Sequence, residues 1–413
     1  MTQTAINETG ILINAEGKAC SDGEYTIQEI NSIKEFQTLQ LVWNDMAVHE
    51  KSLYPFLCFE WIETWLEHFL QKNKLLILII LRRGEPVCIA PFIVKHEKCK
   101  GIPVRKIELI GNFYSHIRSL IFHDINNNEK EQVFFTLLKY LFKSVDWDVI
   151  DLQALPEERF DFALLNQAAT KIGIAPQEYS CYGNWYLDKV EFNGDQYLQG
   201  RSTNIRNNIK RYKKALEKAG PLEFVVVSYD DEEQIDRFMD YYYAVYWKSW
   251  KKTETDPSFH RDLAKFACLK GWLRLGFLFF KGDPLAAQFW LVHGGVAHIL
   301  KLVYNEEYKK FIPGVILTAE MMKYVIDNDK VSMIDFGIGD DPYKRDWTPN
   351  RRERKGVLIC NRTPKGKLLF FLVNTFLPFV NRYAYLKRVK AFIREKLLSH
   401  GREKRSPEIT NEH

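Results

Sequence analysis

Arg83–Val94 reads RGEPVCIAPFIV, and Lys281–Val292 reads KGDPLAAQFWLV. In each, a basic residue, a glycine, an acid and a proline lead into an apolar run. Gly-acid-Pro is turn chemistry between two apolar stretches, so each segment marks a β-hairpin corner. The two lie 198 residues apart (281 − 83). A second matched pair follows. Lys139-Tyr140 and Lys323-Tyr324 sit inside apolar-periodic helices, and Val149-Ile150-Asp151-Leu152 and Met333-Ile334-Asp335-Phe336 come next, at an offset of 184 (323 − 139 and 335 − 151). Two matches in one order read as a duplicated unit of hairpin, strand, helix and strand. The larger offset of the hairpins places a longer insertion between hairpin and helix in the first copy.

Working outward, the first copy is expected to carry helices over about 33–48 and 59–69, and a hairpin of 75–80 with 87–94. A strand near 107–109, a helix over 130–145 and a strand over 148–152 complete it. The second copy is expected to hold a basic helix over 204–218, a strand over 222–227, and helices over 232–250 and 260–269. A hairpin of 277–280 with 286–293 then turns at Gly294-Gly295 into a strand over 296–304, followed by a helix over 314–327 and a strand over 332–336. Beyond Gly366 a C-terminal helix broken at Pro378 is expected.

The 413 residues suit two or three domains, and 46% hydrophobic with 27% charged residues is a globular balance that excludes a disordered chain. A net charge of +5 is too mild to argue for nucleic acid by itself, but the basic residues cluster at 201–218, 344–367 and 382–405. Seven cysteines, scattered and without a C-x-x-C pair, indicate neither a disulfide framework nor a zinc site, and they suit a reducing compartment. The N-terminus has no signal-peptide pattern, and no stretch reaches the roughly 18–20 apolar residues of a membrane span. A cytoplasmic protein is expected, peripheral at the inner membrane surface if its C-terminal part lies on lipid.

Two segments hold the densest chemistry. In Ile299–Ile326 a strand runs through a polar loop into Pro313-Gly314 and an apolar helix. A helix N-terminus with free N–H groups suits phosphate, glycine admits close approach, and Lys309 and Lys310 add charge just before it. The first copy offers His123–Lys130 (HDINNNEK) there, without Pro-Gly. In Ile334–Trp347 (IDFGIGDDPYKRDW) a buried strand ends in a glycine-rich turn that carries Asp340, Asp341, Tyr343, Lys344 and Trp347. Ligands of open α/β sheets sit outside such strand ends. The helix over 204–218 has an apolar stripe of Ile205, Ile209, Tyr212 and Leu216, with Arg206 and Arg211 among its basic residues. Its charged face suits an acidic substrate or plain solvent. His293 and His298 flank the Gly-Gly turn as two rims of one hairpin, and no metal site is expected.

In order, these are SxxxRxxxxRYxKxLEKxG (Ser202–Gly220), G-[DE]-P-x-A-A (Gly282–Ala287), Y-x-x-x-Y-x-x-x-x-PG (Tyr304–Gly314) and DFGxGDDxYKxxW (Asp335–Trp347). The series resembles the BioF-like, CelD-type acetyltransferases of the GNAT superfamily, related to the Fem-type aminoacyltransferases. The resemblance implies tandem GNAT-like α/β (α+β) domains, each a mixed, mostly antiparallel sheet with flanking helices. Residues 25–185 form the N-terminal domain and 186–366 the acyltransferase domain, flanked by a flexible 1–24 and a basic helix and tail over 367–413.

It further implies an acyl-CoA co-substrate, acetyl or longer, inserted where two parallel strands splay. Leu302, Val303, Tyr304, Lys309, Lys310, Pro313 and Gly314 would then bind the cofactor. Asp340 or Asp341 would act as base, Tyr343 as acid and Lys344 as an anion ligand. Arg206, Arg211, Asp335 and Trp347 are assigned to substrate, with Asp335 holding the loop. The acceptor implied is a small-molecule or glycan amine of envelope or exopolysaccharide biosynthesis. Two alternatives stand beside it. One is an aminoacyl-tRNA donor, with nucleic acid bound along the basic helix. The other is a non-catalytic scaffold, with apolar 368–380 and the basic residues after it lying on an anionic membrane.

Overall fold

The fold was obtained as a computed structural model, which describes residues 24–49, 54–228, 234–251 and 254–376, with two short paired strands at 5–6 and 12–13. The helix expected around Pro378 and the basic 382–405 lie outside the described residues. The first copy runs β1 (Tyr25–Ile30), α1 (Phe59–Phe69), β2 (Lys74–Arg82), β3 (Glu85–Cys99), β4 (Ile102–Leu109), α2 (Asn127–Ser144), β5 (Val149–Pro156), α3 (Phe162–Lys171) and β6 (Gln177–Leu187). The second runs α4 (Thr203–Ala219), β7 (Leu222–Val227), α5 (Ile235–Tyr246), α6 (Pro257–Leu269), β8 (Leu273–Phe280), β9 (Asp283–His293), β10 (Val296–Tyr304), α7 (Pro313–Asp327), β11 (Met333–Ile338) and β12 (Asn350–Cys360). The short α8 (Pro364–Phe371) follows.

The two opening motifs build identical corners. Arg83-Gly84 (φ 52° and 90°) and Lys281-Gly282 (φ 55° and 86°) form two-residue turns with both residues left-handed, the geometry that matches strand twist. Glu85-Pro86 and Asp283-Pro284 already belong to the returning strands, and each hairpin slips register just past its proline. All strands except the two short N-terminal ones share one 13-stranded sheet, ordered β7-β8-β9-β10-β11-β6-β12-β5-β4-β3-β2-β1, with Ile121–Phe122 paired to β3. Two contacts are parallel, β4 with β5 and β10 with β11, one in each copy; the others are antiparallel. The fold is thus a mixed, mostly antiparallel α/β sheet repeated in tandem.

The copies exchange their last strands. β6 leaves the first copy to pair with β11 of the second, and β12 leaves the second to pair with β5 of the first. β6 and β12 then pair with each other at the centre of the sheet. The expected domain boundary at 185/186 therefore falls inside β6. Neither β6, α3 nor β12 was anticipated, because their outward faces are polar and their partners are remote in sequence.

At this seam β12 carries Arg352 and Arg354, which a solvated basic turn would not bury. Arg354, 1% exposed, donates to both oxygens of Glu158 at 2.8 Å and to Asn184 at 3.1 Å. Asp335 accepts from Arg352 at 2.8 Å, Asn184 at 2.7 Å and the Gly337 N–H at 2.7 Å. Burial alone would raise the Asp335 pKa. Arg354, His298, Arg352 and the Gly337 N–H outweigh it and hold the carboxyl well below the usual range. Asp335 is buried in this anchor, where it holds the Gly337 N–H at the start of the glycine-rich turn.

Apolar clusters flank the sheet. One joins α1 of the first copy to α5 and α6 of the second, through Trp61 and Phe259 (ring centroids 6.0 Å apart). Another lies under α2 and α3, and a third surrounds α7. Among the described residues no helix is long and apolar enough to cross a membrane. α8 exposes Leu368, Phe370 and Phe371.

Asp335→Asn leaves two arginines short of a buried counter-charge. It is expected to cost about 3–5 kcal/mol, read from the denaturant midpoint. Asp148 is held at about 2, because hydrogen bonds from Arg105 and Thr363 outweigh the opposing effect of burial. A depressed folded pKa gives stability that is complete above the unfolded value of about 4 and is lost on acidification. Unfolding free energy should therefore fall between about pH 4 and about pH 2, and Asp148→Asn should flatten that limb.

Candidate active site

β10 and β11 pair only at Val296–His298 with Met333–Asp335. Past that point they separate, and among the described residues the β11-facing edge of β10 has no strand beside it. β10 is also bulged against β9: Phe289 faces Lys301 and Trp290 faces Ile299, which leaves Leu300 as the extra residue. The fork opens into a cavity of about 540 Å³.

The cavity reaches both faces of the sheet. Ile299, Leu302 and Tyr304 share the α7 side, where Gly314, Val315 and Thr318 line it. Lys301 shares the other side, where His260 and Leu263 of α6 and Trp61 of α1 line it; from the α5–α6 connection Lys251 lies near Lys301 and Glu254, while the Trp250 ring reaches the Tyr304 ring, 4.5 Å between centroids. Ile338, Asp341, Tyr343, Lys344 and Trp347, from the segment after β11, close the remaining wall.

The insertion implied by the unequal offsets forms part of this wall. Residues 110–126 between β4 and α2, longer than 305–312 between β10 and α7, bring Phe113, Tyr114 and His116 across from the first copy. The His116 ring packs where a Cβ on Gly337 would lie, 2.5 Å from its Cε1. Burial pushes its pKa down to about 3, so it is neutral, and its buried Nδ1 has no hydrogen-bond partner among the described residues.

The start of α7 is open. Its N-cap, Ile312, is left-handed (φ 49°) and gives no side-chain cap, and Pro313 occupies the first turn. Buried Gln288 donates to the Gly314 carbonyl at 3.2 Å, as Thr318 does at 2.8 Å, fixing this turn against β9. A Cβ on Gly314 would lie 3.0 Å from the Tyr304 ring and 3.3 Å from Leu302. The corresponding helix of the first copy is different. Asn126 and Glu129 form a reciprocal capping box that fills the start of α2, and Arg82 pairs with Glu129. An anion at that helix would meet a carboxylate already in place.

The predicted residues divide accordingly. Leu302, Tyr304, Gly314, Asp341, Tyr343, Lys344 and Trp347 line the cavity together. Val303 packs on the opposite side, in the α5–α6 core, and Pro313 is buried just behind Gly314. Lys309 and Lys310 are exposed outside it, Lys310 lying over the Phe311 ring. Arg206 and Arg211 point outward from α4, held by Thr203 and by Asn208 and Tyr212. Asp340 is taken by Arg351, with two contacts of 2.7 Å, and by the Trp185 indole at 2.9 Å; the arginine above all holds its carboxyl at about 2. Lys344, 3% exposed, donates to the Ile338 and Gly339 carbonyls (2.5 and 3.1 Å) and pairs with Asp341 at 3.3 Å. It clamps the turn that presents Asp341, and burial lowers its pKa despite that carboxylate.

Sequence reasoning missed the polar group on the α6 side. Buried Glu254 pairs with His260 Nδ1 at 2.8 Å and Lys301 at 3.1 Å, and accepts from Tyr243 at 3.3 Å. Lys301 also lies over the Tyr114 ring, 4.7 Å from its centroid.

Residues 203–345 match a family model described as an acetyltransferase (GNAT) domain. The match lies in the C-terminal half of the chain. Its limits run from α4 into the clamped turn and take in the second-copy walls of the cavity except Trp347. Among solved structures, the chain is similar to FemX, at 13% identity and a TM-score of 0.51, covering 76% of this chain and 94% of that one. That likeness shows a shared fold. Weaker similarity extends to a tandem GNAT protein from the clavulanic acid biosynthesis pathway (11% identity, TM-score 0.46, 82% and 99% covered) and to L-PGS from Bacillus licheniformis (10%, 0.44, 75% and 94%). No curated protein matches the chain in sequence.

Gly337 and Gly84 both have positive φ, but a Cβ on Gly84 meets nothing within 4 Å. Gly84→Ala should cost only the backbone strain, about 1 kcal/mol. Gly337→Ala must also displace His116 and should cost clearly more, about 2–4 kcal/mol in paired denaturation curves.

Proposed function

We propose that the chain is an N-acyltransferase that moves an acyl group from acyl-CoA to an amine, with the β10–β11 fork of the GNAT domain as its site. The observation that carries this is the fork itself. A bulged strand edge, an uncapped helix N-terminus and a cavity open to both faces of the sheet meet at one place, and the equivalent helix start of the first copy is self-capped.

The donor occupies the α7 side, its pyrophosphate at the first turn of α7, where N–H groups and the helix dipole favour anions. Gly314 leaves room for it. The thioester carbonyl then meets the unpaired edge of β10 near the Leu300 bulge, where a backbone N–H stabilises the developing oxyanion. The amine arrives from the α6 side. Asp341 is the base: it faces the cavity, whereas Asp340 is bound to Arg351. The amine nitrogen forms the new C–N bond and passes its proton to Asp341. The C–S bond breaks, and the Tyr343 hydroxyl at the cavity mouth protonates the departing thiolate. Lys344 acts on this step by holding Asp341.

Calorimetric titration of acetyl-CoA into the full chain should show micromolar binding. Gly314→Val, which sets a branched side chain against Tyr304 and Leu302, should weaken it by at least about tenfold. In a thiol-release assay, Asp341→Asn should lower kcat by about a hundredfold or more, with donor affinity kept. Asp340→Asn should act mainly on stability. Absence of binding to any acyl-CoA would overturn the assigned donor.

A further inference from the structure

Three lysines line the cavity: Lys251, Lys301 and Lys344. Two are already matched: Lys301 by Glu254, and Lys344 by Asp341 and two carbonyls. Lys251 is not. Among the described residues it has no carboxylate in ion-pair range, although it lines the cavity and its ammonium lies 5.9 Å from the ring centroid of its neighbour Trp250. Burial, with Lys301 nearby, pushes its pKa down to about 8. The Glu254 and Asp341 carboxylates act on it from a distance, but each is already paired with another lysine, so the Lys251 ammonium has no ion-pair partner of its own among the described residues.

A second unmet group stands in the same cavity. His116 is 7% exposed, and its Nδ1 has no partner among the described residues. Buried polar groups are ordinarily satisfied, so both groups point to a missing ligand. The mouth offers flat surfaces as well: Phe113 and Trp250 are 56% and 49% exposed.

Resting on the donor and acceptor faces assigned above, we propose that the acceptor is an amine that also carries an oxyanion, a carboxylate or a phosphate. Lys251 grips that oxyanion on the α6 side, and His116 bonds a polar group deeper in the fork. The oxyanion supplies the direct ion-pair partner that Lys251 does not have, and it keeps the reactive amine beside Asp341.

The test uses two matched pairs of probes: glucosamine against glucosamine 6-phosphate, and cadaverine against L-lysine. Each is titrated into the full chain at low salt. The anionic member of at least one pair should bind at least tenfold more tightly than its neutral counterpart. Preference within the sugar pair alone identifies a phosphate, and preference within the lysine pair alone a carboxylate. Lys251→Met should abolish the preference and Lys251→Arg should keep it, which separates lost charge from lost structure. Modification of Lys251 by an amine reagent at pH 8, followed by mass spectrometry, should be slowed by the preferred probe only. Equal binding within both pairs, binding of no probe, or a preference that survives Lys251→Met would each overturn the proposal. So would displacement of the anionic probe by saturating coenzyme A, which would put Lys251 in the donor site. Failure of acetyl-CoA to bind while the anionic probe still does would reject the donor reading and leave this one standing.

Discussion

Burying Arg354 beside Asp335 and Glu158 at the centre of the sheet is the constraint on which the rest of the molecule depends. A guanidinium and a carboxylate out of water are tolerable only if each is matched and hydrogen-bonded. The matching groups come from both copies: Asn184 and Glu158 from the first, Asp335, Arg352 and Arg354 from the second. Neither copy can complete the set alone. The exchange of β6 and β12 is what assembles it; a one-residue slip of β12 would turn its arginines to the other face, and one of β6 would turn Asn184 away. The network thus fixes register at the seam, next to the strand that forms one arm of the fork.

The fork follows from that geometry. β11 is pinned on one side by β6, and on the other it meets β10 for only three residue pairs. The β10 bulge and the left-handed Ile312 turn the chain away, so the gap stays open and is lined rather than filled. The first copy contains the same parallel pair, yet its helix start is closed by its own Glu129. Its contribution is the 110–126 segment, which walls the neighbour's cavity with Phe113, Tyr114 and His116. Duplication has thus left one copy with the site and the other with part of its rim.

Much of this was legible in the sequence wherever the signal is local. The hairpin corners, Pro313-Gly314, and the glycine-rich turn with its acids each announce their own conformation. The unequal offsets announced the insertion, though not where it goes. The two acids of the turn could not be told apart, because Arg351, which claims Asp340, sits on a strand that reads as a solvated basic run. Lys309 and Lys310 are near Gly314 in sequence, but the 3-10 turn before α7 swings them outward. The Glu254–His260–Lys301 group joins a loop, a helix and a strand; no spacing rule links them, and only the fold does.

The claim that the working site is the second copy's fork, reached from both faces, is tested most directly by a crystal structure with a non-hydrolysable thioether analogue of acetyl-CoA. The expected density runs through the gap between β10 and β11, with the pyrophosphate at the first turn of α7 and the acyl end beside Leu300. Density at the β4–β5 gap of the first copy, or along the outer face of α4, would contradict it.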